Sequence, residues 1–287
     1  MRLPDFLIVG AMKAGTTSLA TWLGAHPDVF MPRQKEVHFF DAQWARGTSW
    51  YAEQFADAPA GALIGEATPA YMVNKDYLDR MVSVVPNARL VVVLREPTTR
   101  AWSHYNHIVA LGDEQRSFAE CLGSELATDP NDWRTSGMLL ARGRYLSQLR
   151  NITARFDRSQ LHVGLFDDLV AHPHDFYAEV CRFLGVRDDV RPPEVGQDFN
   201  PRAVVRHRRL ASVVRRTTTS RALPPTLTRR MRGAAEHRPR NGPLPADLEG
   251  LLTAYFRPFN AELAAWLGRD LSVWNSDGPN GRAGGEG

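Results

Sequence analysis

Apolar residues follow two rhythms along this chain. Phe6 to Val9 is an unbroken apolar run closed by Gly10, whereas from Thr17 to Leu23 the apolar residues recur at helical spacing; together they predict strand, tight loop, helix. RLVVVLREP, residues 89 to 97, is β-branched and predicts a buried strand ending at Arg95, with Pro97 opening a helix through about Leu111. Tyr145 to Phe156 reads as a helix, Leu161 to Phe166 as a third strand, and Pro173 to Leu184 as a helix stopped by Gly185. Strands alternating with helices predict an α/β fold, a parallel sheet flanked by helices with ligands at the carboxyl ends of its strands. After Gly185 the texture changes. Residues 187 to 243 are rich in proline and arginine and predict loops and short helices over the core; Leu244 to Leu267 regains helical spacing, and NSDGPNGRAGGEG, residues 275 to 287, reads as a disordered tail.

Composition adds little to that picture except in its charges. With 287 residues, 43% hydrophobic and 23% charged, the chain can bury a substantial core. The first apolar run is too short for a secretory signal, and no stretch approaches a membrane span. Cys121 and Cys181 both sit in helix-like apolar contexts, where small core residues are expected rather than disulfide partners or metal ligands, so a cytoplasmic location is expected. The formal charge is only +3, yet between Arg202 and Arg240 every Lys or Arg position is arginine and Glu236 is the only acid. Such a block either meets a polyanion or membrane surface or is simply a solvated segment. Of the three lysines, Lys13, Lys35 and Lys75, two fall near the first predicted loop.

That loop, GAMKAGTTSL at residues 10 to 19, has the outline of a nucleotide-phosphate loop with its lysine displaced. Gly10, Gly15 and Thr17 fit the triphosphatase pattern, but Thr16 stands where the lysine belongs and Lys13 comes three positions earlier. A strand–loop–helix unit still aims backbone N–H groups and a helix N-terminus at an anion. A triphosphatase also needs a magnesium-binding carboxylate at the end of a neighbouring strand, and here that strand ends in Arg95. The candidate site is therefore one of cations and hydroxyls: Lys13, Thr16, Thr17, Arg95 and Ser103. That set suits a nucleotide phosphorylated at two separate places and bound without a metal.

FLIVGAMKAGTTSLATWLGAHPDVFMPRQKEVHFFD, residues 6 to 41, resembles the 3'-phosphoadenosine 5'-phosphosulfate (PAPS)-dependent sulfotransferases, in particular the heparan sulfate type, which shares KEVHFFD. LREPTTRAWSHY, residues 94 to 105, is similar to the family's 3'-phosphate motif. RGRYLSQL at 142 to 149 is a looser match, and LGRDLSVW at 267 to 274 resembles the end of bacterial members. The resemblance implies the sulfotransferase fold, with a P-loop-like parallel sheet, as a single domain over residues 1 to 274. It implies that Lys13, Ala14, Gly15, Thr16, Thr17 and Ser18 hold the 5'-phosphosulfate, with Lys13 near the bridging oxygen, and that Arg95 and Ser103 grip the 3'-phosphate. An ammonium there would stabilise the charge thrown onto the leaving oxygen, which leaves adenosine 3',5'-bisphosphate as the product. Glu36 aligns with the base that takes the acceptor proton. Lys35 would hold Glu36 ionised or contact the cofactor, and His38 would assist; if residues 37 to 40 are extended, His38 and Glu36 share a face.

The resemblance also places the arginine-rich segment 187 to 243 as a cofactor and acceptor lid, beginning at Asn200, Pro201 and Arg202, with Arg202 a candidate contact to the 3'-phosphate. One departure stands out: where heparan-type members read Glu-Lys-Thr-Pro-Ala-Tyr, this chain reads GEATPAYM at 65 to 72, so Ala67 replaces a lysine and Glu66 and Tyr71 are left as acceptor contacts. Arg100 is read as structural. The expected acceptor is a small molecule, glycan or lipid carrying a hydroxyl or an amine, with no nucleic-acid partner and no integral membrane segment, surface association aside. Two alternatives stay open: a small-molecule kinase of the same loop architecture, and a non-catalytic nucleotide or polyanion binder.

Overall fold

A computed structural model describes residues 2–127, 138–197, 204–205, 236–237 and 242–276. The chain falls into two compact units, the first formed by Met1–Pro97, Arg144–Asn200 and Phe256–Trp274, the second by Thr98–Gly143, Pro201–Tyr255 and Asn275–Gly287.

The first unit is built on a parallel sheet of β1 (Phe6–Gly10), β2 (Val29–Phe30), β3 (Leu63–Ala67), β4 (Arg89–Leu94) and β5 (Leu161–Leu165), in the order β2-β3-β1-β4-β5. β1 is central, pairing Phe6 with Gly65 of β3 on one side and with Arg89 of β4 on the other. All five residues of β1 and the last five of β4 are buried, as expected for parallel strands covered on both faces. Burying one such Val, Ile or Leu contributes roughly 1.5–3 kcal/mol, against about 1–2 kcal/mol to fix one residue's backbone, so the apolar runs anchor the sheet.

The helices, in chain order, are α1 (Thr16–Gly24), α2 (Gly47–Glu53), α3 (Lys75–Val84), α4 (Pro97–Ala110), α5 (Phe118–Leu126), α6 (Tyr145–Thr153), α7 (Phe166–Ala171), α8 (Pro173–Leu184) and α9 (Ala246–Leu267). The predicted α8 ends as expected, on Gly185 in the left-handed region at φ 73. The third predicted strand stops one residue early, because Phe166 already opens α7.

In the second unit, α5 begins with a capping box between Ser117 and Glu120. Trp102, Tyr105 and Phe118 form an aromatic cluster with centroids 5.0 to 5.6 Å apart. Arg100 is buried and donates to the Leu139 carbonyl, while Glu125 accepts from the amides of Leu139, Leu140 and Ala141 at 2.7 to 2.9 Å. Arg100 thus holds the chain near Leu139, a structural role. Of the arginine-rich segment, Val204–Val205 (β6) and Glu236–His237 (β7) pair antiparallel; Asn200, Pro201, Arg202 and the tail beyond Ser276 lie outside the described residues.

Candidate active site

The carboxyl edge of the sheet gathers the groups of interest. After β1 the chain turns through Lys13, at φ 72, and Gly15, at φ 82, before α1 starts at Thr16. A left-handed lysine costs of order 1–2 kcal/mol, a strain that accompanies functional loops more often than plain turns. Gly15 has a second constraint, since a Cβ there would stand 3.0 Å from the Phe166 ring. No side chain caps α1, and Leu19 makes the first helical bond, to the Gly15 carbonyl. The amides of Thr16, Thr17 and Ser18 therefore point out of the helix end, as an anion site requires. Ala14 is fully buried and its N–H donates to Ala11, so its part is to shape the turn.

Arg95 follows β4 directly. Its Nη1 donates to the Lys13 carbonyl at 3.1 Å, its guanidinium lies 4.7 Å above the Phe166 ring, and its own carbonyl accepts from Tyr145 Oη at 2.7 Å. The arginine and the loop lysine are in this way tied to one another.

From the other side comes the turn carrying Glu36. Lys35 Nζ donates to Thr17 Oγ1 at 2.6 Å and to Glu36 Oε1 at 3.0 Å. His38 Nε2 stands 3.2 Å from Glu36 Oε2, and its Nδ1 is 2.8 Å from Asp41 Oδ2. Burial works to raise the Glu36 carboxyl, but the bonds from His38 and Lys35 prevail and bring it down to about 2. His38 moves the opposite way, to about 10, through its bonds to Asp41 and then Glu36. At neutral pH Glu36 is therefore ionised and His38 charged.

Beneath that turn lies a second carboxyl group, bonded by hydroxyls. Glu66, at the end of β3, is fully buried and accepts from Tyr51 Oη, from Thr68 Oγ1 at 2.6 Å and from Tyr71 Oη at 2.8 Å. The same hydroxyls receive the turn that carries Glu36: His38 N–H donates to Thr68 Oγ1 at 3.4 Å and Phe39 N–H to Tyr71 Oη at 2.8 Å. Among the described residues no group of three or more His, Cys, Asp or Glu side chains is placed to hold a metal ion.

Residues 3–198 match the model of the sulfotransferase domain family. The chain belongs to the sulfotransferase family. It is 30% identical over 200 residues to mouse heparan sulfate glucosamine 3-O-sulfotransferase 5, covering 68% of this chain and 56% of that protein. It is 39% identical over 107 residues to the membrane-associated sulfotransferase kil1 of Dictyostelium discoideum, covering 36% and 23%. The chain thus spans little more than half the length, or less, of these curated relatives. Among solved structures, a sulfotransferase from Alicyclobacillus acidocaldarius superposes with a TM-score of 0.70 at 28% identity over 96% of this chain and all of that one. Among the described residues no helix is long and apolar enough to cross a membrane.

Within this sulfotransferase the structure brings Lys13, Gly15, Thr16, Thr17, Ser18 and Arg95 to one edge of the first unit and draws Glu36 and His38 to Thr17 through Lys35. Ser103 lies on α4 in the second unit. Two expectations change. Residues 37 to 40 are not extended, because His38 is left-handed at φ 56 and its carbonyl accepts from Ala42 and Gln43; the turn itself, not a shared strand face, makes His38 meet Glu36. Glu66 and Tyr71, expected as acceptor contacts, are buried and bonded to each other, and Ala67 beside them is fully buried in β3. Sequence reasoning missed Asp41, although its spacing of three from His38 in HFFD was the available signal. It also missed Phe166 and Tyr145 as supports of Arg95, for which the sequence holds no local signal.

Proposed function

We propose that this chain moves the sulfuryl group of PAPS onto a hydroxyl or amine of an acceptor by direct, metal-independent in-line attack. The bridge made by Lys35 between Thr17 of the anion loop and Glu36 supports this most, because it sets a carboxylate one side chain from the group to be transferred. The residues suit such a ligand: an uncapped helix start, a left-handed glycine with the Phe166 ring 3.0 Å from where a Cβ would stand, and cations with hydroxyls around them. PAPS, when bound, supplies the sulfuryl group and a leaving phosphate oxygen. Lys13 and the α1 amides would hold the 5' end and neutralise charge growing there. Arg95 would hold the 3'-phosphate through its forked donors.

Glu36 would take the acceptor proton. Clamped by two cations it is ionised but weakly basic; Lys35, already touching Thr17, can turn to an anion in the loop, and a carboxylate relieved of one cation regains proton affinity. His38, charged and pinned by Asp41, would orient Glu36 rather than accept a proton itself.

The match at 3–198 runs through segments of both units, which supports reading residues 1–274 as one functional domain. The relatives named for heparan sulfate favour a glycan acceptor, with a lipid or other small molecule as the alternatives. Cys121 and Cys181 are buried free thiols, which suits a reducing cytoplasm.

Calorimetric titration with adenosine 3',5'-bisphosphate in the absence of metal, beside ATP with magnesium, tests the assignment. Bisphosphate binding that is lost in Arg95→Ala is expected; binding of magnesium ATP alone would make the chain a kinase.

A further inference from the structure

The end of the first unit, LGRDLSVW, has no part in the site as described, yet it touches Tyr145, which bonds Arg95, and Asp167, the residue that follows Phe166. After α9 the chain turns at Gly268, φ 63, and folds Trp274 into the core with 1% of its surface exposed. The Trp274 ring meets Tyr145 edge-on, centroids 6.4 Å apart at 62°, and Tyr145 Oη donates to the Arg95 carbonyl. Trp274 Nε1 donates to Asp167 Oδ2 at 2.9 Å, and Asp167 is the residue after Phe166, whose ring lies under the Arg95 guanidinium. Arg269 adds an ion pair to Asp168 at 2.7 Å, but with side chains 46% and 33% exposed it contributes little. The buried tryptophan carries the connection.

We propose that the 267–274 segment is a clamp that fixes Arg95, with Trp274 and Tyr145 as positioning residues that set preference for a ligand bearing a 3'-phosphate. This rests on Arg95 being the 3'-phosphate group. An arginine side chain loses much rotational freedom when it grips an anion, and restraining it beforehand removes part of that cost from binding. Tyr145 restrains the backbone of Arg95, and Phe166, oriented through Asp167 and Trp274, restrains the guanidinium. Neither group needs to touch the ligand.

The test is the ratio of dissociation constants for adenosine 5'-monophosphate and adenosine 3',5'-bisphosphate, measured by calorimetry on the full chain. Tyr145→Phe removes one hydroxyl and Trp274→Phe removes the indole N–H while keeping a buried ring, so both variants should fold. Each should weaken bisphosphate binding by about three- to tenfold, the worth of one hydrogen bond, with monophosphate binding nearly unchanged, so the ratio falls. A purely structural role would lower the melting temperature and leave the ratio intact, overturning the clamp. Arg95→Ala is the control. If it collapses the ratio while the two conservative variants keep it, only the clamp is wrong; if Arg95→Ala keeps the ratio, the assignment of Arg95 fails and the clamp with it.

Discussion

Two glutamates in one unit, Glu36 and Glu66, have opposite surroundings and opposite acidities. Glu36 has a third of its side chain exposed and bonds two cations, Lys35 and His38; burial opposes ionisation, the cations win, and the carboxyl falls to about 2. Glu66 is wholly buried and bonds three hydroxyls; burial raises it, and the bonds from Thr68, Tyr51 and Tyr71 do not recover the difference. Neutral donors satisfy the hydrogen bonds of a buried carboxyl without offsetting what burial costs its charge, which suits Glu66 to a supporting part. An ionised carboxylate near the surface, held by a lysine that also reaches the anion loop, is suited to proton transfer.

Swapping each acid for its neutral or truncated counterpart should separate these roles. Glu36→Gln is expected to have the largest effect, lowering transfer by about 10²- to 10⁴-fold, while adenosine 3',5'-bisphosphate binds as before; turnover near wild type would remove Glu36 as the base. Glu66→Ala should act on the fold first. It leaves three hydroxyl groups in the core without their acceptor, and even partial rearrangement leaves a loss of roughly 2–4 kcal/mol, read as a lower denaturant midpoint. A variant that kept its midpoint would show that Tyr51, Thr68 and Tyr71 find other partners.

The contrast also marks what a sequence displays. β1, β4 and the helix after Pro97 were legible because continuous β-branched or periodic apolar residues encode them, and the phosphate loop because its glycines sit at fixed spacing. β3 escaped notice: LIGEA carries a glycine and a glutamate in five residues and has no strand rhythm, since Gly65 leaves room for Phe6 and Met31 and Glu66 is satisfied by side chains from elsewhere. Glu36 and His38 were found from their motif, but their contact depends on the left-handed backbone of a non-glycine residue, which the sequence gives no reason to expect. The ring beneath Arg95 was hidden for a related reason, as Phe166 lies seventy-one positions further along and its pairing with Arg95 exists only once β4 and β5 are neighbours.

The smallest and most specific change is in pH dependence. As the proposed base Glu36 acts ionised, and its pKa is already lowered, so its contribution is present above the ordinary carboxylate value of 4.5 and is lost only as pH falls through about 2. His38, raised from 6.5 to about 10, keeps its contribution at low pH and loses it as pH rises through about 10. Between those limits the ion pairs persist, and kcat/KM of the wild type should show no acid limb from Glu36 above about pH 3. Lys35→Ala removes one of the two cations. Burial then weighs more heavily against the charge, the Glu36 pKa moves up toward the ordinary range, and an acid limb should enter the measurable window at about pH 4–5. Lys35→Arg keeps the charge and should restore the flat profile. An acid limb unmoved in Lys35→Ala would mean that His38 alone holds Glu36 ionised, leaving Lys35 with only its contact to Thr17.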